Sequence, residues 1–427
     1  MSGLVNTIAP ARFGNGYRWL LASTWVSNLG DGLAMAAGPL LVASQTDQAF
    51  LVALAALLQW LPPFLFGLFA GVVTDRLDRR LIVVAVNLAR AAVVGLIALS
   101  VITGTVSIVV VLIALFLLGT AEVFADNTFS TLVPMLVARD DLAVANSRLQ
   151  VGFITLNQLA GPPIGAALFA AGMWAPFLAQ AVLVLLAALL IARMALPRHG
   201  RDRDLPPTRI RADIVEGILW TWRHPAVRTL VLTILIFNVT FGAAWSVLVL
   251  YATQRLGLGA VGFGLITTVS AAGGLVATLG YGWLTRRVSL GNLMRVGLII
   301  ETLTHLALAL TTSPAVALPV FFAFGAHAFV WHTTSVTIRQ RAVPTALQGR
   351  VGSVNLIGVY GGLVAGAGIG GVLAQHFGVT APFWFAFVGS AIFVVAIWGQ
   401  LRYLALDDAA GVTGYPVTPA LPSEDLA

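Results

Sequence analysis

The chain has 427 residues, 59% of them apolar and only 10% charged, with a formal charge of +7. Soluble domains carry about 25% charged residues, so a large soluble protein is excluded, and so is disorder, which needs a polar chain. Cysteine is absent, which removes disulfides, thiolate metal sites and cysteine nucleophiles, and all 24 basic residues are arginine, which removes P-loop and Schiff-base chemistry.

A spanning helix needs about 20 mostly apolar residues. Reading along the chain, such runs fall at 17–43, 50–74, 81–103, 107–136, 149–171, 174–196, 226–252, 260–284, 291–311, 315–337, 351–374 and 380–403. The runs are continuous rather than alternating, which predicts helices and not a barrel. The first run has no charged start or small-residue cleavage site before it, so it is expected to act as its own insertion signal. The twelve runs define an all-α membrane protein.

Arginine sets the topology. Arg76, Arg79, Arg80, Arg139, Arg148, Arg286, Arg287, Arg339, Arg341 and Arg350 fall at loops of one side, and only Arg255 falls on the other. The positive-inside rule then places both termini in the cytoplasm of a multi-pass protein of the cell's inner membrane. The arginines lack the interleaved aromatics of a nucleic-acid tract; anionic lipid is the expected partner of this face. Six runs precede the longest loop and six follow it. This divides the chain into a bundle over 1–196, a cytoplasmic linker over 197–225, a second bundle over 226–404 and a disordered tail over 405–427. The linker carries Arg198, Arg201, Arg203, Arg209 and Arg211, Pro206 and Pro207, then an amphipathic stretch (Ile210, Ile214, Ile218, Leu219) expected to lie partly on the membrane surface.

The two halves resemble each other at an offset near 210. Asn28 faces Asn238, Gly71 faces Gly282, Val133-Pro134 faces Val343-Pro344, and GPPIG at 161–165 faces GAGIG at 366–370. Paired six-helix bundles of this kind place a substrate site between them near mid-membrane, with alternating access by rocking.

The loop after the second run reads GVVTDRLDRR at 71–80 and resembles the loop signature of the major facilitator superfamily, with Asp78 where a glycine is usual. SNLGDGLAMAAGPLL in the first run, ANSRLQ…LAGPPIGAAL around the fifth and RQRAVPTALQGRV before the eleventh resemble its drug:proton antiporter branch, which includes macrolide and siderophore exporters. The resemblance covers Arg18 to Arg402 and implies the major facilitator fold, with the first, fourth, seventh and tenth helices around a cavity. It implies that Gly71, Asp75, Arg76, Arg79 and Arg80 latch the halves together on the cytoplasmic side. Independently of it, a carboxylate at Asp75 could cap a helix N-terminus and pair with arginine. Gly161, Pro162, Pro163 and Gly165 resemble the antiporter-type element of the fifth helix, although Asn157 and Ala166 stand where glycines are usual. The prolines there free backbone groups that neighbouring helices must satisfy, and the small residues allow close packing.

Ionisable residues inside the bilayer are costly and mark chemistry. Asp31 lies in the first run, and Glu122 and Asp126 share a face of the fourth. Two acids so close cannot both ionise cheaply, so one is expected to hold a proton. Asp31, Glu122 and Asp126 are therefore the proton-coupling candidates; for Asp126 the resemblance equally implies a latch role, paired with the loop arginines. Given the helices that the resemblance puts around the cavity, Asn28, Asn238, Phe241, Trp245, His327, Trp331 and His332 are its expected lining, the aromatics forming an apolar wall. Arg90, and Glu301 with His305, are assigned to peripheral helices and to interhelical pairs. Asn157 and Gln158 face the cavity or bond across helices.

No covalent catalysis, cofactor or metal site is read. His327 and His332 are five apart, off the same-face spacing for zinc. The function expected is proton-coupled efflux of a drug-like or amphiphilic small molecule by a monomer. Movement of a lysophospholipid or a metabolite by the same fold is the second expectation, and a non-transporting receptor or scaffold the third.

Overall fold

The computed structural model describes residues 10–194, 210–344 and 347–400, and every regular element among them is helical. A short turn at Ala11–Phe13 leads into α1 (Gly14–Gln45), followed by α2 (Ala49–Arg76), α3 (Arg79–Ile102) and α4 (Ile108–Leu136). The fifth span, α5, is continuous but uneven: Leu142–Gly152 is α-helical, Phe153–Ala160 widens into π turns, and Gly161–Ala171 is α-helical again. Then come α6 (Ala175–Ala192) and the linker helix α7 (Ile210–Arg223). The second half contains α8 (Pro225–Trp245, continued by Leu248–Leu250 and a π turn at Tyr251–Arg255), α9 (Ala260–Thr285), α10 (Leu290–Leu310), α11 (Pro314–Ala342), α12 (Gln348–Phe377) and α13 (Ala381–Ile397). Ten helices among the described residues are long and apolar enough to cross a membrane; the interrupted α5 and the 17-residue α13 complete the twelve runs. The expected 405–427 tail and residues 197–209 of the 197–225 linker lie outside the described residues.

Helix starts follow local chemistry. Ser107 and Ser289 accept hydrogen bonds from the amides of Val110 and Asn292, and proline opens α8 and α11, where a missing N–H costs nothing. Tight turns between spans use glycine in the left-handed region, at Gly257 (φ 64°) and Gly378 (φ 86°).

α1 packs on α5 and α6, α3 on α4 and α6, and α2 on α4; in the second half α8 packs on α12 and α13, α10 on α11 and α13, and α9 on α11. The halves meet along two seams, α2 against α12 and α5 against α9. At the arginine-poor end one hydrophobic core is common to both halves, joining Ala36, Leu40, Leu41, Val52 and Ala53 to Val247, Val249, Leu250, Phe263, Ile266 and Ala374. At the arginine-rich end each half has its own core, around Tyr17, Leu132 and Ile191 in one and Leu230, Met294 and Ile397 in the other. Buried apolar packing between the halves is thus concentrated at the arginine-poor end.

The aligned GPPIG and GAGIG segments do the same work. A Cβ on Gly161 would run into the Gly32 backbone, and one on Gly165 into Leu33; a Cβ on Gly366 would run into Val239, and one on Gly370 into Ala243. Glycine thus lets α5 lie directly on α1, and α12 directly on α8.

Candidate functional site

A cavity of about 590 Å³ lies between the halves, within the range of sites for drug-sized ligands. α1 contributes Met35 and Pro39, α2 Val52, Gln59 and Trp60, and α5 Gln150, Phe153 and Gln158. The other half contributes Phe241 and Trp245 from α8, Thr267, Ser270 and Thr278 from α9, and Phe324 and Phe329 from α11. No charged side chain is among its lining residues. Phe241, Trp245 and Phe324 form one stack, with Trp245 4.5 Å from each of the other rings. Of the expected lining, Phe241 and Trp245 are in place. Asn28, Asn238, His327, Trp331 and His332 do not line this cavity. The Asn238 side chain donates to Ile234 O (2.7 Å) and packs in the α8–α12 seam; His332 is exposed elsewhere on α11. Gln59, Trp60 and Phe324 were missed because a helical run does not show which face a neighbouring helix leaves open.

The charges of the first half converge beside the cavity. Arg90 on α3 is buried and forms an ion pair with Asp31 on α1, one turn along α1 from Met35. Ser27 Oγ donates to Asp31 Oδ2 (3.2 Å), and the Arg90 guanidinium also donates to Asn87 Oδ1 (3.3 Å). The interhelical pair expected of Arg90 is therefore present, but its partner is the acid expected to be a free proton carrier. Glu122 and Asp126 on α4 are accessible rather than buried, and their charges act on Arg90 and, across the cleft, on Tyr360 of α12. Gln158 on the cavity wall donates to Asn157 Oδ1 (2.8 Å), and Asn157 donates to Asn28 O (3.4 Å), next to Ser27. A polar chain so connects the cavity to the segment of α1 that holds the ion pair.

The second half carries its own pair: His327 Nε2 on α11 lies 3.4 Å from Glu301 Oε2 on α10, again with little exposure. His305, one turn further on α10, is fully buried and meets the edge of Trp245 at 5.9 Å.

The predicted latch is seen only in part. Gly71 lies beside Asn127, Arg79 reaches Met135, and Arg80 donates to the Ala192 carbonyl at the end of α6. The carboxylate that caps α3 is Asp78, which accepts from the amides of Arg80 (2.9 Å) and Leu81 (3.3 Å), and not Asp75: Asp75 falls inside α2, three residues too early. The side chains of Asp75 and Arg76 lie outside the described residues. The fifth-helix element has a clearer place. Pro162 and Ala166 abut Gly264 of α9, and Thr268 of α9 donates to Leu159 O (3.2 Å), so this stretch is part of the seam between the halves. Pro163 lies next to it in the same turn.

Comparison with known proteins agrees with this architecture. The transmembrane secretion effector family matches residues 5–414. The multidrug efflux pump Tap of Mycolicibacterium fortuitum is 27% identical over 388 residues, 85% of this chain and 90% of Tap. Macrolide efflux protein A of Streptococcus pyogenes is 26% identical over 176 residues, 41% of this chain and 43% of that protein. A crystal structure of the nucleoside transporter NupG (D323A mutant) superposes with a TM-score of 0.73 at 10% identity, covering 90% of this chain and 99% of that one.

Proposed function

Since the chain belongs to the transmembrane secretion effector family of the major facilitator superfamily, a family of transporters and not of enzymes, we propose that it exports an amphiphilic, drug-like molecule in exchange for protons. The observation that carries the reading is an uncharged, aromatic-walled cavity set beside a cluster in which three carboxylates face one guanidinium. The walls suit a bulky apolar cargo by burial and ring stacking, as a multidrug or macrolide pump would require. The cluster keeps excess negative charge unless protons load onto it, and low-dielectric surroundings make that excess costly. Glu122, accessible and without a direct ionic partner among the described contacts, is the primary proton carrier; Asp126 is the second. Asp31, held by Arg90, positions the cluster. Proton loading weakens the hold of the acids on Arg90, and the change reaches the cavity through α1, by way of Met35 and the Asn28–Asn157–Gln158 chain.

The arginine-rich end is cytoplasmic by the positive-inside rule, and the apolar core shared by both halves at the opposite end supports reading this conformation as inward-open. Both termini are then in the cytoplasm, the membrane is the cell's inner membrane, and the transporter works as a monomer.

Drug susceptibility in an efflux-deficient bacterial host tests the reading. Wild type is expected to raise tolerance to amphiphilic drugs, macrolides among them. Glu122→Gln at matched membrane levels, or a protonophore, is expected to abolish that tolerance. Tolerance that survives both would overturn proton coupling. Labelled lipid translocation in liposomes without drug tolerance would move the cargo to a lysophospholipid.

A further inference from the structure

The pair in the second half differs from Arg90–Asp31 in one chemical respect. Arginine is a cation at any working pH, whereas histidine is one only when a proton is bound. Glu301 is buried, and the one ionic partner among its described contacts is His327 Nε2 at 3.4 Å. An ionised carboxylate inside a membrane bundle needs a counter-charge, so this pair is balanced by a single mobile proton, as carboxylate with imidazolium or as acid with imidazole. His305 stands one turn from Glu301 on the same face of α10, is fully buried, and has no hydrogen-bond partner at either ring nitrogen. His327 Nδ1 and Trp331 Nε1 are likewise unpartnered. A neutral imidazole offers one N–H and one bare nitrogen, so the group contains acceptor nitrogens beside a carboxylate with nothing else to satisfy them.

Among the described residues no other charge is paired with it. α13 has no titratable residue, and α8 carries Arg228 in its first turn and Arg255 at its far end. On α10, Arg295 is engaged with Asn292 and the Trp398 ring. α11 adds His332, Arg339 and Arg341 toward its cytoplasmic end, and α9 contributes Tyr281, which bonds Thr334.

We propose, building on the proton-coupled reading above, that Glu301, His327 and His305 form a second proton-binding site in the C-terminal half, directly behind the cavity wall. The proton is exchanged between Glu301 Oε2 and His327 Nε2 and is accepted in turn by His305. Trp245 contacts His305, and the Phe324 ring lies 5.8 Å from His327. Both aromatics line the cavity, so cargo that displaces them alters the surroundings of the imidazoles. By reciprocity, the proton alters the affinity of the wall for cargo.

The test reads the site without transport. Tryptophan fluorescence of the purified full-length protein in detergent is followed from about pH 5 to 9, the range in which imidazole changes charge. An imidazolium beside an excited indole quenches it. The variants are made on Trp220→Phe, which removes the ring that His224 stacks on at 5.0 Å. A pH-dependent quench is expected on that background, with or without Glu122→Gln, and is expected to shrink in Trp245→Phe and to be lost in His305→Gln and His327→Gln. A flat trace on that background, or a quench that survives either histidine substitution, would overturn the site. Should a histidine variant fail to fold, Glu301→Gln keeps both rings: a displaced midpoint supports the shared proton, and an unmoved one refutes it. Efflux that proves independent of protons refutes the coupling proposed above and leaves this readout to decide the site alone.

Discussion

The two halves solve one structural problem with different chemistry. Each puts an ionisable residue at the same depth of its third helix, Arg90 on α3 and Glu301 on α10, and pairs it with a helix that faces the other half. In the first half the fixed charge is a guanidinium and the acids are plural. In the second the fixed group is an acid and its partner is an imidazole. A permanent cation among surplus acids sets a charge that protons discharge. An acid between histidines holds a charge that exists only while a proton is present. The fold is repeated, but the division of labour is not.

Substitution can break this comparison, most strongly at Arg90. Arg90→Ala leaves Asp31 with no counter-ion, and losing one partner of a buried pair costs about 3–5 kcal/mol; a marked fall in the melting temperature of detergent-purified protein is expected, partly restored by adding Asp31→Asn. The glycine seams should respond alike in both halves. Gly165→Ala and Gly370→Ala each press a methyl group against the backbone of the facing helix, an overpacking cost of about 1–3 kcal/mol in the same melt. Unequal losses would show that only one seam is tightly packed. Glu301→Gln is milder, at about 1 kcal/mol, because His327 can shed its proton when the acid is gone. Its cost is expected to differ between acidic and alkaline buffer, as the charge on imidazole does, and the cost of Arg90→Ala is expected to shrink in acidic buffer, where protons neutralise the acids it leaves behind. At the small end, the Glu216–Arg350 pair (2.7 Å) that fastens α7 to α12 is largely exposed, so Glu216→Ala should cost about 0–1 kcal/mol.

The spans, their order and the two-bundle repeat could be read from sequence because bilayer thickness dictates run length and because arginine marks one side. The GPPIG–GAGIG match proved to be a packing correspondence, which explains why both halves retain glycine there. The site was readable only in part. Asp31 and Arg90 were each visible as a charge in an apolar run, yet their pairing depends on how α1 and α3 turn about their axes, which period alone does not give. Glu301 and His305 were assigned to the periphery because helix order, not rotation, was the guide; one turn of α10 brings His305 against Trp245. The capping carboxylate was misplaced by three residues, from Asp78 to Asp75, since helix ends are where sequence patterns are least sharp.

The shared core at the arginine-poor end has a thermal consequence. That seal is nearly all hydrocarbon, with few polar bonds across it, such as Phe50 N to Gln375 Oε1 at 3.2 Å. Apolar attraction weakens on cooling, while the ion pairs within each half do not share that dependence. Cold should therefore loosen this seal before it loosens either half. A pair of spin labels placed on the α1–α2 and α11–α12 sides of the mouth would register this as a growing population of long distances in samples equilibrated at lower temperature.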